Sequence, residues 1–369
     1  MKLNSSKNQI QKIGHKIRNG EPLSEADEVA FAEFRTKHGE ILQNFRMRLN
    51  NAYIKKRKDV VVVGRLKKRE TIINKIKDRH SKMDLVRMHD IAGLRLFFND
   101  IATLRKFRNH FVEADKSSKY RRTNENDKYD YIAKPNKMGY RGIHDVYEEI
   151  TDDPIKMKLE LQYRTWVQHS WATTLEIWDS AYSKKMKFGT ETDKNVVDFF
   201  RYVSEVFARF LEQESFMKDL SDVQLFKRLI KLDKKTQVMN KLKRIKLAEL
   251  NKKKIIAKDN SYIVMQKINE NSAVQLQLNF TNSDKANNIF QIYKNLELAD
   301  KKELSDIVMV TVKKPKIFLQ KAYNNYFNDL DTFYKNYNKA MDIIRQKLEK
   351  KYWLLSFIYN WEYLKDEYK

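Results

Sequence analysis

A ten-residue segment, from residue 155 to residue 164, alternates strictly between apolar and polar side chains. The apolar members are Ile155, Met157, Leu159, Leu161 and Tyr163, and the polar members are Lys156, Lys158, Glu160, Gln162 and Arg164. Successive side chains of a β-strand point to opposite faces of its sheet, so the pattern predicts a strand with one packed face and one polar face. A solvated sheet face is the usual explanation of such a polar row, and it competes with a functional explanation. The fold must contain a sheet.

Helical patterns dominate the rest of the chain, which has only eight glycines and four prolines in 369 residues. Ser24 followed by Asp27 predicts a helix N-terminus. Further helices are expected at 71–80, 165–184, from 192 onward and over the lysine-dense stretch 233–258. Strands are expected at 60–63, 91–98, 129–132, 143–150 and 155–164.

A small C-terminal unit is expected from a predicted hairpin, 261–268 with 273–280, a helix capped by Ser283 and a strand at 306–312. We therefore predict an α+β fold. The predicted domains are 1–190 with the sheet, 191–258 as a helical bridge, and 259–369 as a small α+β module.

Charge and composition narrow the class of partner and the compartment. The chain has 74 Lys and Arg against 49 Asp and Glu, a formal net charge of +25. Such a surplus attracts polyanions, although a solubilising lysine-rich surface is the simpler alternative. Cysteine is absent, which excludes disulfides and cysteine metal sites. No apolar run approaches the ~20 residues that span a bilayer, and no secretory signal is visible, so we expect a cytoplasmic protein without a membrane partner.

Four motifs follow one another between residues 64 and 176. The first two are Gly64-Arg-Leu-Lys67 with Thr71 and Lys75 after it, and Asp90-Ile-Ala-Gly-Leu-Arg95. The third is the loop Tyr131-Ile-Ala-Lys-Pro-Asn-Lys-Met-Gly-Tyr-Arg-Gly-Ile-His144, and the fourth is Leu159-Glu-Leu-Gln-Tyr-Arg-Thr165, followed by His169, Trp171, Ala172 and Glu176. Cations where a strand end leads into a helix suit phosphate groups, and a carboxylate such as that of Asp90 suits a hard cation.

In this order the motifs resemble the synthetase domain of the RelA/SpoT family. The resemblance implies a nucleotidyltransferase-like fold, with a mixed sheet flanked by helices, that moves the β,γ-pyrophosphate of ATP to a 3′-hydroxyl with Mg²⁺. It also implies that the C-terminal module, 259–369, is regulatory. It implies that Asp90 and Glu160 are catalytic and hold the metal. The residues implied to bind ATP are Arg65, Lys67, Thr71, Lys75 and Arg95. The residues implied to surround the acceptor are Tyr140, His144, Gln162, Arg164 and Lys137.

Two acceptors stay open. One is the 3′ end of tRNA, as in toxic small relatives of the family, and the other is GDP, GTP or an adenine nucleotide, which would give an alarmone. The net charge favours tRNA, and so does the acceptor loop, where Asn136, Met138 and Gly142 stand in place of the family's Lys, Asn and Ser. A third interpretation is an RNA-binding protein without catalysis.

The C-terminal region resembles that of longer toxin–antitoxin fusions in the family, including phage-defence proteins that sense capsids. We expect this region to hold the enzyme inactive until a protein partner displaces it, with Tyr323, Tyr326 and Phe327 on the switching surface. The dipeptide His89-Asp90 also marks metal-dependent phosphohydrolases, but the sequence offers no counterpart to their other ligands.

Overall fold

The computed structural model describes residues 4–55, 57, 59–67, 69–77, 84–114, 119–124, 127–182, 193–249, 261–266, 276–280, 307–312 and 330–351. The chain divides into two compact units, and each combines segments that are distant in the sequence. Unit 1 comprises Met1–Asp130, Gly142–Thr165 and Lys252–Phe327, and unit 2 comprises Tyr131–Arg141, Trp166–Asn251 and Asn328–Lys369. The domain boundaries expected at residues 190 and 258 stay a prediction.

Unit 1 contains a five-stranded mixed sheet. Its strands are β1 (Val61–Leu66), β2 (Ala92–Phe98), β3 (Tyr120–Arg122), β4 (Ile143–Glu149) and β5 (Lys158–Thr165). They lie in the order β1-β2-β5-β4-β3. The pair β2–β5 is parallel and the other pairs are antiparallel. The expected α+β class, with a mixed sheet and flanking helices, is confirmed.

In the part of unit 1 that the structure describes, the helices are α1 (Lys7–Asn19), α2 (Glu25–Leu49, continued by a π-helical turn at Asn50–Ile54), α3 (Arg69–Lys77) and α4 (Ile101–Ala114). The expected start of α2 is confirmed, because Ser24 and Asp27 form a capping box. Both α2 and α4 cover the apolar face of the sheet: the ring centroid of Phe45 lies 5.0 Å from that of Tyr147, and Phe107 lies 6.5 Å from Tyr163. The opposite face carries the polar row of β5.

Several local expectations were wrong. The strand expected at 129–132 is a turn with a single bridge between Asp130 and Ile143, because Asp127 adopts φ 42° and its carbonyl accepts the Asp130 amide. Strand β5 begins at Lys158, since the turn at 151–154 delays regular pairing, although Ile155 and Met157 are buried as expected. The short strand β3 was not predicted.

The described residues of unit 2 form the helices α5 (Trp166–Ala181), α6 (Lys194–Leu211), α7 (Asp222–Thr236), α8 (Val238–Glu249) and α9 (Asp331–Lys351). The single helix expected over 233–258 is divided at Gln237, whose φ of 55° ends α7, and residues 250–258 lie outside the described residues. The expected apolar stripe of α6 is buried, and Phe333 of α9 packs on it at 5.6 Å from the ring of Phe207.

A second, three-stranded antiparallel sheet belongs to unit 1. It consists of β6 (Ser261–Gln266), β7 (Leu276–Phe280) and β8 (Ile307–Val312) in the order β7-β6-β8, so the predicted hairpin and third strand are confirmed. Ser283, Tyr323, Tyr326 and Phe327 lie outside the described residues. Among the helices in the described part of the chain, none is long and apolar enough to cross a membrane.

Candidate active site

The polar face of the sheet in unit 1 gathers residues from four strands. Strand β5 lies between β2 and β4, and Glu160 pairs with Gly93 on one side and Val146 on the other. Gln162 lies between Arg95 and His144 in the next row of the same face. Directly paired residues share a face, so the register alone brings these polar side chains together.

Glu160 is an enclosed acid of this face, with 7% of its surface exposed. Its Oε1 lies 2.9 Å from Nδ1 of His144, and its Oε2 accepts a hydrogen bond of 2.6 Å from Nε2 of Gln162. Burial opposes ionisation, but the partners outweigh it and hold the pKa of Glu160 well below its ordinary value. Glu160 is therefore a carboxylate at neutral pH, in which form it can accept a proton or bind a cation.

Asp90 lies just before β2 and receives two lysines. Its Oδ2 is 2.5 Å from Nζ of Lys67, which follows β1, and 2.8 Å from Nζ of Lys75 on α3. The Lys67 amide donates to the carbonyl of Ile91, which fixes the end of β1 beside Asp90. Burial raises the pKa of the Asp90 carboxyl, but the two ammonium groups lower it below its ordinary value overall.

One oxygen of Asp90 remains available to a cation. Oδ1 is buried and has no hydrogen-bond partner. An unpaired buried carboxylate oxygen is costly, and a bound cation would satisfy it. Within the residues that the structure describes, no cluster of three or more His, Asp or Glu could hold a metal. The buried carboxylate oxygen of Asp90 fits Mg²⁺, which is commonly bound through one or two carboxylates together with substrate phosphates.

Gly93 leaves open space on this face between Arg65 and Glu160, with which it pairs on either side. A Cβ added there would meet only the carbonyl oxygens of Arg65 and Glu160, at 3.7 and 3.8 Å. The absence of a side chain thus gives a ligand access to the sheet surface beside the carboxylate of Glu160.

Among the other residues predicted to bind ATP or to shape the pocket, Arg95, Gln162 and Arg164 lie on strands of the sheet and Thr71 lies on a helix. Arg95 Nε and Arg164 Nη2 both donate to Oε1 of Gln162, at 3.2 and 3.1 Å, which fixes the orientation of that amide. Thr71 lies on α3 and is half-buried. The structure thus brings every predicted ATP and metal residue into unit 1.

Tyr140 and Lys137 belong to the loop Tyr131–Arg141 of unit 2. The Tyr140 ring packs edge-on against Tyr131 with centroids 5.6 Å apart, and Lys137 is exposed. Oδ1 of Asn136 accepts the amides of Met138 and Tyr140, both at 3.0 Å, and so closes the loop on itself.

A hydrogen bond and an ion pair attach this loop to helix α6. Ser204 Oγ donates to the Gly139 carbonyl at 2.5 Å, and the buried Arg141 forms an ion pair with the buried Glu212. The φ of Gly139 is +89°, and a Cβ there would lie 3.0 Å from Cα of Arg201. A glycine is therefore required for α6 to approach the loop so closely.

Comparison with known families found a match that includes the residues of this site. Residues 64–187 match the sequence profile described as "Region found in RelA / SpoT proteins". Residues 64–187 form a RelA/SpoT synthetase domain. The chain is thus an enzyme of the pyrophosphokinase type, as the four motifs implied.

Solved structures similar to the chain were found as well. Small alarmone synthetase 2 from Bacillus subtilis is 22% identical over 48% of this chain and 90% of that chain, with a TM-score of 0.37. Small alarmone synthetase 1 from Bacillus subtilis bound to its product pppGpp is 22% identical over 49% and 89%, with a TM-score of 0.38. A GTP pyrophosphokinase family protein from Streptococcus pneumoniae is 21% identical over 56% and 98%, with a TM-score of 0.38. No curated protein sequence matches the chain.

The motifs did not assign His89, a further residue of the synthetase domain that contacts the site. His89 Nε2 lies 3.9 Å from Oε1 of Glu160, and its ring stacks on Tyr129 with centroids 6.1 Å apart. Burial lowers the pKa of His89, which favours the neutral imidazole. Its position next to Asp90 was the signal that sequence reasoning could have used.

Proposed function

We propose that this protein transfers the β,γ-pyrophosphate of ATP to a 3′-hydroxyl, with Asp90 and Glu160 at the reacting centre. The observation that carries the proposal is the environment of Asp90. Two lysines bind one of its oxygens, while the other is buried without a hydrogen-bond partner. Two cations that can bind a polyphosphate thus lie beside a carboxylate that can bind its metal ion.

In this proposal the residues of the first two motifs bind the donor. Lys67 and Lys75 are held at Asp90 until ATP arrives, and their charges then pass to the triphosphate oxygens. Arg65 and Arg95, on the open sheet face beside Gly93, bind the same nucleotide. Thr71 offers a hydroxyl from α3.

Glu160 is proposed to take the proton of the attacking 3′-hydroxyl or to share the metal with Asp90. His144 and Gln162 orient its two oxygens through the hydrogen bonds described above. Mg²⁺, when bound by Asp90 and Glu160, would neutralise charge on the phosphate oxygens as they move. Tyr140 is proposed to stack on the acceptor base, while Arg164 and Lys137 contribute positive charge to acceptor binding.

The acceptor that we propose is the 3′ end of tRNA, which would make the protein an inhibitor of translation, a toxin used in phage defence. The formal charge of +25 supports a polyanionic acceptor, and the loop has an asparagine at position 136 where the family has a cation. The proposed compartment is the cytoplasm, where ATP and tRNA are present.

Alarmone synthesis on GDP, GTP or an adenine nucleotide is the second candidate. Its support is that the motifs match the same synthetase domain, and that the solved small alarmone synthetase 1 was bound to its product pppGpp. The two candidates share their chemistry and differ only in the molecule that offers the hydroxyl.

The decisive experiment incubates the full chain with γ-labelled ATP and Mg²⁺ and either deacylated tRNA or a mixture of GDP and GTP. Label on tRNA supports the first candidate, and label on the guanine nucleotides supports the second. A tRNA whose terminal 3′-hydroxyl has been oxidised with periodate is the control, and it must take up no label. Absence of transfer to every acceptor, from a folded protein and also after activation as described next, would refute the proposed chemistry.

We also propose that the C-terminal strands restrain the synthetase domain until a protein partner displaces them. The support is that β8 comes within 8 Å of β1, the strand that carries Arg65, inside the same compact unit. Val310→Pro should weaken β8, because proline removes an amide from the ladder, and should raise transfer activity. Val310→Thr, which keeps a β-branched residue, is the matched control. Equal activities of the two variants would contradict the proposal.

A further inference from the structure

A buried ion pair lies on the face of the unit 1 sheet that is opposite to the proposed active site. Asp145 of β4 pairs with Leu161 of β5 in the ladder and is completely buried. Arg108 of α4, the helix that covers this face, donates two hydrogen bonds to its carboxylate, from Nε and from Nη2, both at 2.9 Å. The proposed function assigns no role to this pair.

An apolar residue could fill the position of Asp145, because its neighbours on this face of β4, Ile143 and Tyr147, belong to the buried hydrophobic core. Burial raises the pKa of the Asp145 carboxyl, but Arg108 holds it below its ordinary value overall, so the carboxylate is charged at neutral pH. The cost of removing two charges from water offsets much of their attraction, and apolar residues in place of such a pair often leave a protein equally stable or more stable. Stability alone therefore does not explain why the pair is present.

Arg108 also holds the turn at 127–130. Its Nη1 donates to Oδ1 of Asp127 at 2.7 Å, and Nη1 of Arg105, three residues earlier on α4, donates to Oδ2 of Asp130 at 2.8 Å. Asp127 has a φ of 42°, an uncommon conformation for a residue other than glycine, so the surrounding contacts must hold it. Two arginines of one helix thus fix both ends of the turn.

Both attachments of Arg108 lead to the backbone of His144. Since His144 precedes Asp145 on the strand, its side chain points to the other face of the sheet, where Nδ1 lies 2.9 Å from Oε1 of Glu160. Its amide donates to the carbonyl of Tyr129, inside the turn, at 3.1 Å. Its carbonyl accepts a hydrogen bond of 3.3 Å from Nδ2 of Asn124. The position of the imidazole beside Glu160 therefore depends on contacts made on the opposite face.

We infer that Arg108 is a positioning residue, which acts through Asp145 and Asp127 to keep His144 against the carboxylate of Glu160. The inference rests on the proposed function, in which Glu160 lies at the reacting centre. Without Arg108, strand β4 and the turn lose an attachment to α4, and the imidazole that orients Glu160 can shift. A displacement of about 1 Å caused by a residue remote from the chemistry can lower a reaction rate by about a hundredfold.

The test compares two double variants of the full chain. Arg108→Met with Asp145→Val removes both charges of the pair together, so that neither is left buried and unpaired. Arg57→Gln with Asp59→Asn is the matched control. It removes another two-point Arg–Asp pair of unit 1, with Nε and Nη2 at 3.0 and 2.5 Å from the carboxylate oxygens, to which no role in the site is assigned. A single variant, Arg108→Lys, keeps a cation opposite Asp145 but loses the planar fork that binds two carboxylates at once.

We expect the Arg108→Met, Asp145→Val variant to unfold at the same denaturant concentration as the wild type or a higher one, and to bind a non-hydrolysable ATP analogue with unchanged affinity. Its rate of label transfer at saturating substrate concentrations should be roughly ten- to a hundredfold lower than that of the control variant. Arg108→Lys should give an intermediate rate. Crystal structures of the variants should show the contact between His144 Nδ1 and Glu160 Oε1 lengthened beyond hydrogen-bond distance without Arg108 and retained in the control.

Two outcomes would overturn the inference. A contact between His144 and Glu160 that is unchanged in the variant without the pair would mean that Arg108 does not position the imidazole. Stability, ATP affinity and transfer rate that fall together would mean that the pair serves only the fold. If the double variant does not fold, Arg108→Lys gives the same readings. Because the distance is measured without any transfer of label, the inference can fail while the proposed function holds, and the reverse.

Discussion

Asp90 offers its two oxygens to different partners, and this asymmetry defines the site. One oxygen holds Lys67 and Lys75, whereas the other is buried and unpaired. Asparagine at this position keeps the shape of the side chain and one hydrogen-bond acceptor but loses the charge. The substitution therefore separates a role in metal binding from a role in folding.

We predict that Asp90→Asn lowers the rate of pyrophosphate transfer by at least roughly hundredfold while the protein stays folded. The reason is that the variant would hold Mg²⁺ poorly, so that the negative charge of the phosphate oxygens in the transition state is no longer neutralised. The measurement is label transfer alongside circular dichroism. Glu70→Gln, at an exposed site on α3, removes the same charge and should leave the rate unchanged. An Asp90→Asn variant with full activity would favour an RNA-binding protein without catalysis.

His38 allows a prediction about pH that is independent of the active site. It is 1% exposed on α2, its Nδ1 lies 2.8 Å from the Phe34 carbonyl, and burial lowers its pKa from 6.5 to about 4. The unfolded state therefore binds more protons than the folded state between these two values. Stability from the neutral ring is complete above pH 6.5 and is lost as the pH falls towards 4.

We expect the free energy of unfolding to drop by about 2 kcal/mol between pH 7 and pH 5 through His38 alone. In His38→Leu this part of the pH dependence should disappear, whereas His110→Gln, at an exposed site on α4, should keep it. Chemical denaturation at the two pH values measures the difference. Parallel pH profiles for the wild type and His38→Leu would show that the ring is not the titrating group.

At the scale of single residues much of the site was predictable, because short motifs identify the residue types that can bind phosphate or a metal ion. The alternation of apolar and polar residues around Glu160 and the spacing from Asp90 to Arg95 were sufficient to place these two segments in one sheet. The burial of His38 was not predictable, since a histidine on an amphipathic helix is usually near the surface. His89 could have been selected from its position next to Asp90, but its short distance to Glu160 depends on how β2 and β5 pair, which the sequence does not show.

At the scale of elements, the acceptor loop depends on a helix that follows it by some sixty residues. The hydrogen bond from Ser204 to Gly139 and the ion pair from Arg141 to Glu212 hold the loop against α6. Tyr140 lies between these two attachments, so its position depends on the close approach that Gly139 permits.

We predict that Gly139→Ala lowers kcat/KM for the acceptor by roughly ten- to a hundredfold and leaves the KM for ATP unchanged, because a small displacement of Tyr140 misplaces the acceptor. Steady-state kinetics with each substrate varied in turn measure this. Gly20→Ala is the matched control: Gly20 has a φ of 76°, but a Cβ there would meet nothing within 4 Å. It should cost about 1 kcal/mol of stability and leave the kinetics unchanged. Equal kinetic effects of Gly139→Ala and Gly20→Ala would contradict the role of Gly139 in positioning Tyr140.

Elements with a strong periodicity were predictable, and those set by backbone geometry were not. The capping box of α2 and the apolar stripe of α6 depend on side-chain types at fixed spacings, which the sequence shows directly. The turn at 127–130 and the break at Gln237 depend on positive φ values of non-glycine residues, which carry only a weak sequence signal.

For the whole molecule, the surplus of 25 positive charges gives the acceptors different salt dependences. An RNA end in contact with ~4 phosphate sites should show a slope of about −3 in a plot of log affinity against log salt concentration. We predict this slope for tRNA, and a shallower one for GTP, in binding titrations at several KCl concentrations. Equal slopes would mean that the charge surplus acts only as a solubilising surface.

The division into units was the least predictable feature of the whole chain. Sequence patterns follow the chain in order, whereas the chain passes between the units after residues 130, 141, 165, 251 and 327. The C-terminal helix α9 belongs to the helical core through Phe333, Tyr337 and Ile344, so a deletion that begins at residue 259 would open that core. Regulation should be tested by point substitutions.

This interleaving bears on how the protein is made. A ribosome must have released α9, including Leu348, before the core that also contains α6 is complete. The loop with Tyr140 is synthesised far earlier and waits for its support. The acceptor loop thus gains its complete support only after α9 has been synthesised, so that production of the loop and its final packing against α6 are separated in time.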